Sequence, residues 1–139
     1  DEALPKLKGL GAVIVAARPY DKDFPTPALD AVKSMKVLSA VEVYNPKVRA
    51  GANELAIEAA ESLKLPGVAG SDARGSLDEL GYGATLFTKP VNSQAELVKA
   101  LAGRDYYPVQ MGELPHLQRP GAAKEAELKK KKKKRRWPR

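Results

Sequence analysis

The chain has 139 residues, 43% of them hydrophobic, with no cysteine and a single histidine, His116. That length suits one domain with an appendage, and the absence of cysteine excludes disulfides and thiolate metal sites. A histidine-rich metal centre built from this chain alone is excluded too, and no run approaches the roughly 18 apolar residues that a membrane helix needs.

Charge is unevenly placed. Residues 123–139 hold ten basic and two acidic residues, 10 − 2 = +8, whereas residues 1–122 hold 14 basic and 15 acidic ones, or −1; together they give the formal +7. The body is therefore electrically balanced and the tail carries the basic character. Such a run is a solvated segment by default and a nucleic-acid arm in many chains. The chain begins Asp1-Glu2 rather than Met, so a processed form or part of a longer protein is expected, with room for an import sequence already removed.

The body alternates strand-like and helix-like segments. Leu10 to Ala16 is a continuous apolar run, the pattern of a buried parallel strand, ended by Arg18-Pro19-Tyr20. Thr26-Pro27 predicts a helix start, Thr as N-cap and Pro at the first helical position, with Ala28, Leu29, Val32 and Met35 as its apolar face. Ala40 to Tyr44 reads as a second strand closed by Asn45-Pro46. Asn53 to Leu63 reads as a helix with Leu55, Ala56, Ala59 and Leu63 inward and Glu54, Glu58 and Glu61 outward. Leu65-Pro66-Gly67 ends it, and Val68-Ala69 is a very short strand. It leads into Gly70-Ser71-Asp72-Ala73-Arg74. Ala84 to Thr88 is another strand. Ser93-Gln94-Ala95-Glu96 is a capping box opening a helix through Leu101, which Gly103 terminates. Asp105 to Val109 predicts a last strand. Beyond Gln110, Pro115, Pro120 and Gly121 break regular structure.

Strand-helix-strand repetition with short links implies parallel strands with right-handed crossovers, an α/β fold. Four or five strands suffice for an open parallel sheet or for part of a (β/α) barrel. The expected division is an α/β domain over residues 1–109 and a Pro-containing linker with a polybasic tail over 110–139.

The order of these motifs resembles the C-terminal half of a PHP (polymerase and histidinol phosphatase) phosphoesterase domain. The resemblance runs from about Gly9 to Gly103. Ala17-Arg18-Pro19-Tyr20 is similar to the family's "His-Pro-aromatic" strand end, and Val41-Glu42-Val43-Tyr44-Asn45 to its "Ile-Glu-Val-Tyr-Asn" strand. Gly70 to Arg74 resembles the Gly-Ser-Asp-Ala-His ligand run. Glu79-Leu80-Gly81 and Ala84-Thr85-Leu86-Phe87 fit its ending. The resemblance implies a distorted seven-stranded (β/α) barrel with two or three metal ions at the C-terminal strand ends, activating water against a phosphate ester.

Carried over residue by residue, the ligand set is depleted. The His-Pro position is Arg18, the Asp survives as Asp72, and the last ligand position is Arg74. A guanidinium is permanently charged, offers no lone pair and repels a cation. With one histidine in the chain, the family's His-x-His ligands have no counterpart. The expectation is a set of relic positions, Arg18, Asp72 and Arg74, with no catalytic residue, no bound metal and no cofactor.

Other uses of these residues stand beside that one. Asp72 could cap the next turn or keep a single cation. Arg18 and Arg74 could close an ion pair with Asp72 or grip an RNA phosphate, with Glu42 as a further pairing candidate. His116 reads as a surface residue and Tyr106-Tyr107 as core and edge packing. Trp137, amid basic residues, is suited to stacking on a base or packing into a protein groove.

The function expected is that of a non-catalytic PHP-derived structural subunit of a large ribonucleoprotein, first of all an organellar (mitochondrial) ribosome in the mitochondrial matrix. The cytoplasm is the alternative location. Lys129, Lys130, Lys131, Lys132, Lys133, Lys134, Arg135, Arg136, Trp137 and Arg139 are the expected RNA contacts, made to phosphate without base specificity. Neighbouring protein subunits are the expected cover for strand edges that an incomplete barrel leaves open, and no membrane partner is expected. The alternatives are a metal-dependent phosphoesterase whose other ligands lie on a missing N-terminal segment, and a subunit of an RNA-processing complex.

Overall fold

The computed structural model describes residues 2–111. His116 and the expected RNA contacts Lys129 to Arg139 lie outside the described residues. The elements in chain order are α1 (Ala3–Gly9), β1 (Val15–Ala16), a 3-10 turn (Leu29–Ser34), β2 (Ala40–Tyr44), α2 (Ala50–Leu63), β3 (Gly67–Ala69), a second 3-10 turn (Leu77–Glu79), β4 (Gly83–Phe87), α3 (Gln94–Gly103) and β5 (Tyr106–Gln110). No helix among the described residues is long and apolar enough to cross a membrane.

β1, β2 and β3 form a parallel sheet in that order, with Val15 opposite Ala40 and Val41 opposite Gly67. α2 covers one face of it. Ala56, Ala59 and Ala60 pack with Val41, Val43, Val32, Leu38 and Tyr20 in the main core. Small residues on α2 let the helix lie close to the β-branched strand side chains. Leu55, expected to face inward, is 42% exposed, because the alanine stripe, and not the larger leucine, meets the sheet.

β4 and β5 pair with each other and run antiparallel, Gly83 opposite Gln110 and Phe87 opposite Tyr106. This corrects the expectation of parallel strands throughout. The chain leaves β4 and enters β5 at the same end, where Thr88 N and Thr88 Oγ1 both donate to Asp105 O. α3 bridges that end, capped by Ser93 Oγ on Glu96 N and closed by Arg104 in the left-handed conformation. The pair packs against the free edge of β3, where Thr85 bonds the backbone of Ala69. Thr85 Oγ1 donates to Ala69 O at 2.9 Å and accepts from Ala69 N at 3.0 Å. A hydroxyl thus satisfies both backbone groups of a strand edge that would otherwise be open. The described residues form a mixed α/β fold of three parallel and two antiparallel strands, with no closed barrel.

Two N-terminal expectations are also corrected. The apolar run from Leu10 contributes only Val15 and Ala16 as strand. Leu10 caps α1 and is 84% exposed, and Gly11 turns with φ +88° while Ala12 N donates to Leu7 O. A helix was not expected there, because its apolar residues are few. Thr26 does not cap the next helix; that segment is a 3-10 turn preceded by Ala28, with Val32 as its buried residue. Leu29 takes φ +48° and is part-exposed, its N–H donating to Pro19 O, which anchors the turn to the segment after β1.

Candidate functional site

Arg18 follows β1, Glu42 lies in β2, and Asp72 and Arg74 follow β3. All four therefore gather at the carboxyl ends of three adjacent parallel strands, where loops of an open α/β sheet converge. The backbone is special at two of them. Arg18 has φ +47° and Asp72 φ +49°, a left-handed conformation that costs a non-glycine residue about 1–3 kcal/mol and that its surroundings must hold.

The holding contacts are polar and specific. Arg18 Nη1 meets Asp72 Oδ2 at 3.2 Å, with the two side chains only 16% and 14% exposed. Arg18 Nε donates to Asp21 Oδ2 at 2.9 Å, and Nη2 donates to the same oxygen. The guanidinium also lies 5.2 Å from the Phe24 ring centroid, within cation–π range. On the other side, Arg74 Nε donates to Asp72 Oδ1 at 2.8 Å and Nη2 to Oδ2 at 3.2 Å. This is a fork-to-fork contact, but its arginine side chain is 64% exposed. Two guanidiniums and two carboxylates thus close on each other, and Asp72 is shared.

Glu42 joins the same cluster through the backbone N–H of Arg18. Its Oε2 accepts from Arg18 N at 2.8 Å and its Oε1 from Asn45 Nδ2 at 3.3 Å. Burial raises its pKa above the ordinary glutamate value, with the Asp72 charge adding to the effect. The Arg18 N–H and Asn45 amide bonds and the Arg18 charge oppose it. The buried Asn45 is itself tied to α2, since its N–H donates to Asn53 Oδ1 and its carbonyl accepts from Asn53 Nδ2.

The loop carrying Asp72 is fastened from below. Ser71 Oγ donates to Gly83 O at 2.9 Å and accepts from Gly81 N at 2.8 Å. Gly83 must be glycine here, for a Cβ would stand 2.6 Å from Gly70 O. Glu79 accepts from Arg74 N at 3.0 Å and pairs with Lys47 Nζ at 2.7 Å, so the 3-10 turn after the loop is bound back to the end of β2. These bonds, Lys47 first, hold the Glu79 pKa below the ordinary value.

The structure thus brings Arg18, Asp72, Arg74 and Glu42 together. Asp72 does not cap the following turn; Ser76 does, accepting from Asp78 N. Tyr106 is buried and Tyr107 half-exposed. Asp21 and Lys47 carry no expectation from the sequence, and Glu79 enters there only as part of the Glu79-Leu80-Gly81 ending. Asp21 was findable, because an acid three residues after an arginine in a turn is a ready local partner. The Lys47–Glu79 pair spans 32 positions and left no local signal. Among the described residues no group of three or more His, Cys, Asp or Glu is placed to hold a metal ion.

A loop cluster at the carboxyl edge of a parallel sheet, built around an aspartate, is the setting of α/β proteins that bind or process ligands at strand ends. More specifically, residues 50–105 match the family model described as PHP-associated, a match consistent with a C-terminal part of a PHP domain. Asp72 and Arg74 fall inside the matched residues; Arg18 and Glu42 precede them. No curated protein and no solved structure matches the chain.

Proposed function

We propose that the chain is a non-catalytic, PHP-derived structural subunit of a large ribonucleoprotein, in its most specific form an organellar (mitochondrial) ribosome, and that it meets RNA phosphates through its basic tail. The observation that carries the non-catalytic half is the closure of charge around Asp72. Both of its oxygens accept from guanidiniums. A cation at Asp72 would sit against two permanent positive charges. The same closure argues against a phosphate grip by Arg18, because Nε, Nη1 and Nη2 are already engaged by Asp21 and Asp72. The RNA half is carried by the tail, +8 over residues 123–139, a charge density whose natural ligand is a polyanion.

The test is co-sedimentation of the full chain with ribonucleoprotein particles over a salt series, beside a chain ended before Lys129. Loss of association on truncation, and a linear fall of log affinity with log salt, are expected. Association that survives truncation unchanged removes the RNA half. Stoichiometric bound metal together with phosphatase activity in the full-length protein removes the non-catalytic half and restores the phosphoesterase reading. Co-purification with a precursor-tRNA nuclease would instead assign the chain to RNA processing.

A further inference from the structure

A second feature lies away from the charge cluster. α2, β2, β3 and β5 enclose a groove of about 650 Å³, within the range of side-chain and small-ligand sites. Val43, Ile57, Leu65, Pro108 and Val109 give it apolar walls. Among the described residues the charged ones lining it are Glu54 and Glu61, two turns apart on α2, and none is basic. Ile57, between them, is 44% exposed, an apolar side chain left at the surface of a helix whose inner stripe is alanine. The groove therefore suits an occupant that is apolar at one point and cationic around it.

The chain carries such a segment. Arg135-Arg136-Trp137-Pro138-Arg139 sets the only tryptophan among arginines, after six lysines. Gln110 lines the groove, so the path to that segment starts at the groove itself. From Met111 to Trp137 is 137 − 111 = 26 residues, an extended reach of up to about 85 Å. Closing such a loop costs little more than closing a shorter one, and tethering places the segment at an effective concentration of order millimolar. We infer that the groove between α2 and β5 is the docking site of the chain's own C-terminal segment, with Trp137 against Ile57 and Val109 and the flanking arginines on Glu54 and Glu61. Docking there would make the tail a ligand of its own domain as well as of any external polyanion, and it stands whether or not that polyanion is RNA.

Because Trp137 is the only tryptophan, its fluorescence reads the contact directly in the full chain. Its emission is expected to be blue-shifted, and its quenching by acrylamide several-fold weaker, relative to a free peptide of residues 124–139. Both effects should be independent of protein concentration. The double substitution Glu54→Lys/Glu61→Lys changes two exposed side chains. It should return Trp137 to peptide-like quenching while the circular dichroism of the domain is unchanged. Ile57→Ser should act in the same direction. Three results would each overturn the inference: a tryptophan as accessible in the full chain as in the peptide, protection unaffected by the charge reversal, or protection that grows with protein concentration. The last would place a neighbouring copy's tail in the groove.

Discussion

Replacing Asp72 by Asn tests the charge cluster most directly. At 3.2 Å from Arg18, the gross attraction at an effective dielectric of about 20 is roughly 5 kcal/mol. Most of that is offset by desolvation in the wild type, and Arg18 keeps Asp21 in the variant. Breaking a fully buried pair costs about 3–5 kcal/mol and an exposed one about 0–1. With side chains 16% and 14% exposed, Asp72→Asn is expected to cost about 2 kcal/mol, or about 10 °C in melting temperature for a domain of this size. Arg74→Ala removes the other partner of the same carboxylate, but that arginine is mostly exposed, so about 0–1 kcal/mol is expected. The assay is urea denaturation of both variants beside the wild type, at low and high salt. Asp72→Asn should keep its deficit in salt, because a part-buried pair is weakly screened. If Asp72→Asn is no more destabilising than Arg74→Ala, or if its deficit vanishes in salt, Asp72 does not hold the two strand-end loops together.

The other expectations follow from single contacts. Gly83→Ala drives a Cβ to 2.6 Å from Gly70 O; backbone meets it, so a loss of about 1–3 kcal/mol is expected by denaturation. Glu42 has a folded-state pKa above its unfolded one. Its contribution to stability is therefore full below the ordinary glutamate range and is lost as pH rises through the raised value. Glu42→Gln should remove that falling component from a stability–pH curve, and a curve of unchanged shape would refute the raised Glu42 pKa. Ser93→Ala deletes the cap of α3, at about 1 kcal/mol. Because α3 buries no residue fully, amide exchange should show that loss as fraying of residues 94–97 rather than as global unfolding.

Much of the fold was legible where local chemistry decides it. The Ser93 capping box, the β2 run and the Val68-Ala69 strand stand where the sequence puts them, because caps and short apolar runs act within a few residues. The direction of β5 was not legible. Tyr106-Tyr107-Pro108-Val109 encodes an extended backbone, but its partner is chosen by where the α3 connection returns the chain. The N-terminal strand is shorter than expected for a similar reason: Leu10 and Gly11 close α1 in solvent, and the run meets the core and the edge of β2 only from Ile14 onward. At the site, motif order and not physical reasoning brought Arg18 toward Asp72. Asp21, which completes the neutralisation, left only the local signal of an acid three residues after Arg18. Residues 112–139 carry 11 − 3 = +8, against +7 for the whole chain.

The shared carboxylate has a consequence for sequence change. Replacing Arg18 alone takes the guanidinium from two acids at once, one of them Asp21 with a side chain only 5% exposed. Replacing Asp72 alone leaves two cations without their common partner. Single substitutions at either position are therefore penalised, and coordinated ones are not. Among homologues, positions 18, 21 and 72 should vary together, whereas position 74, whose arginine sits mostly in water, should drift freely.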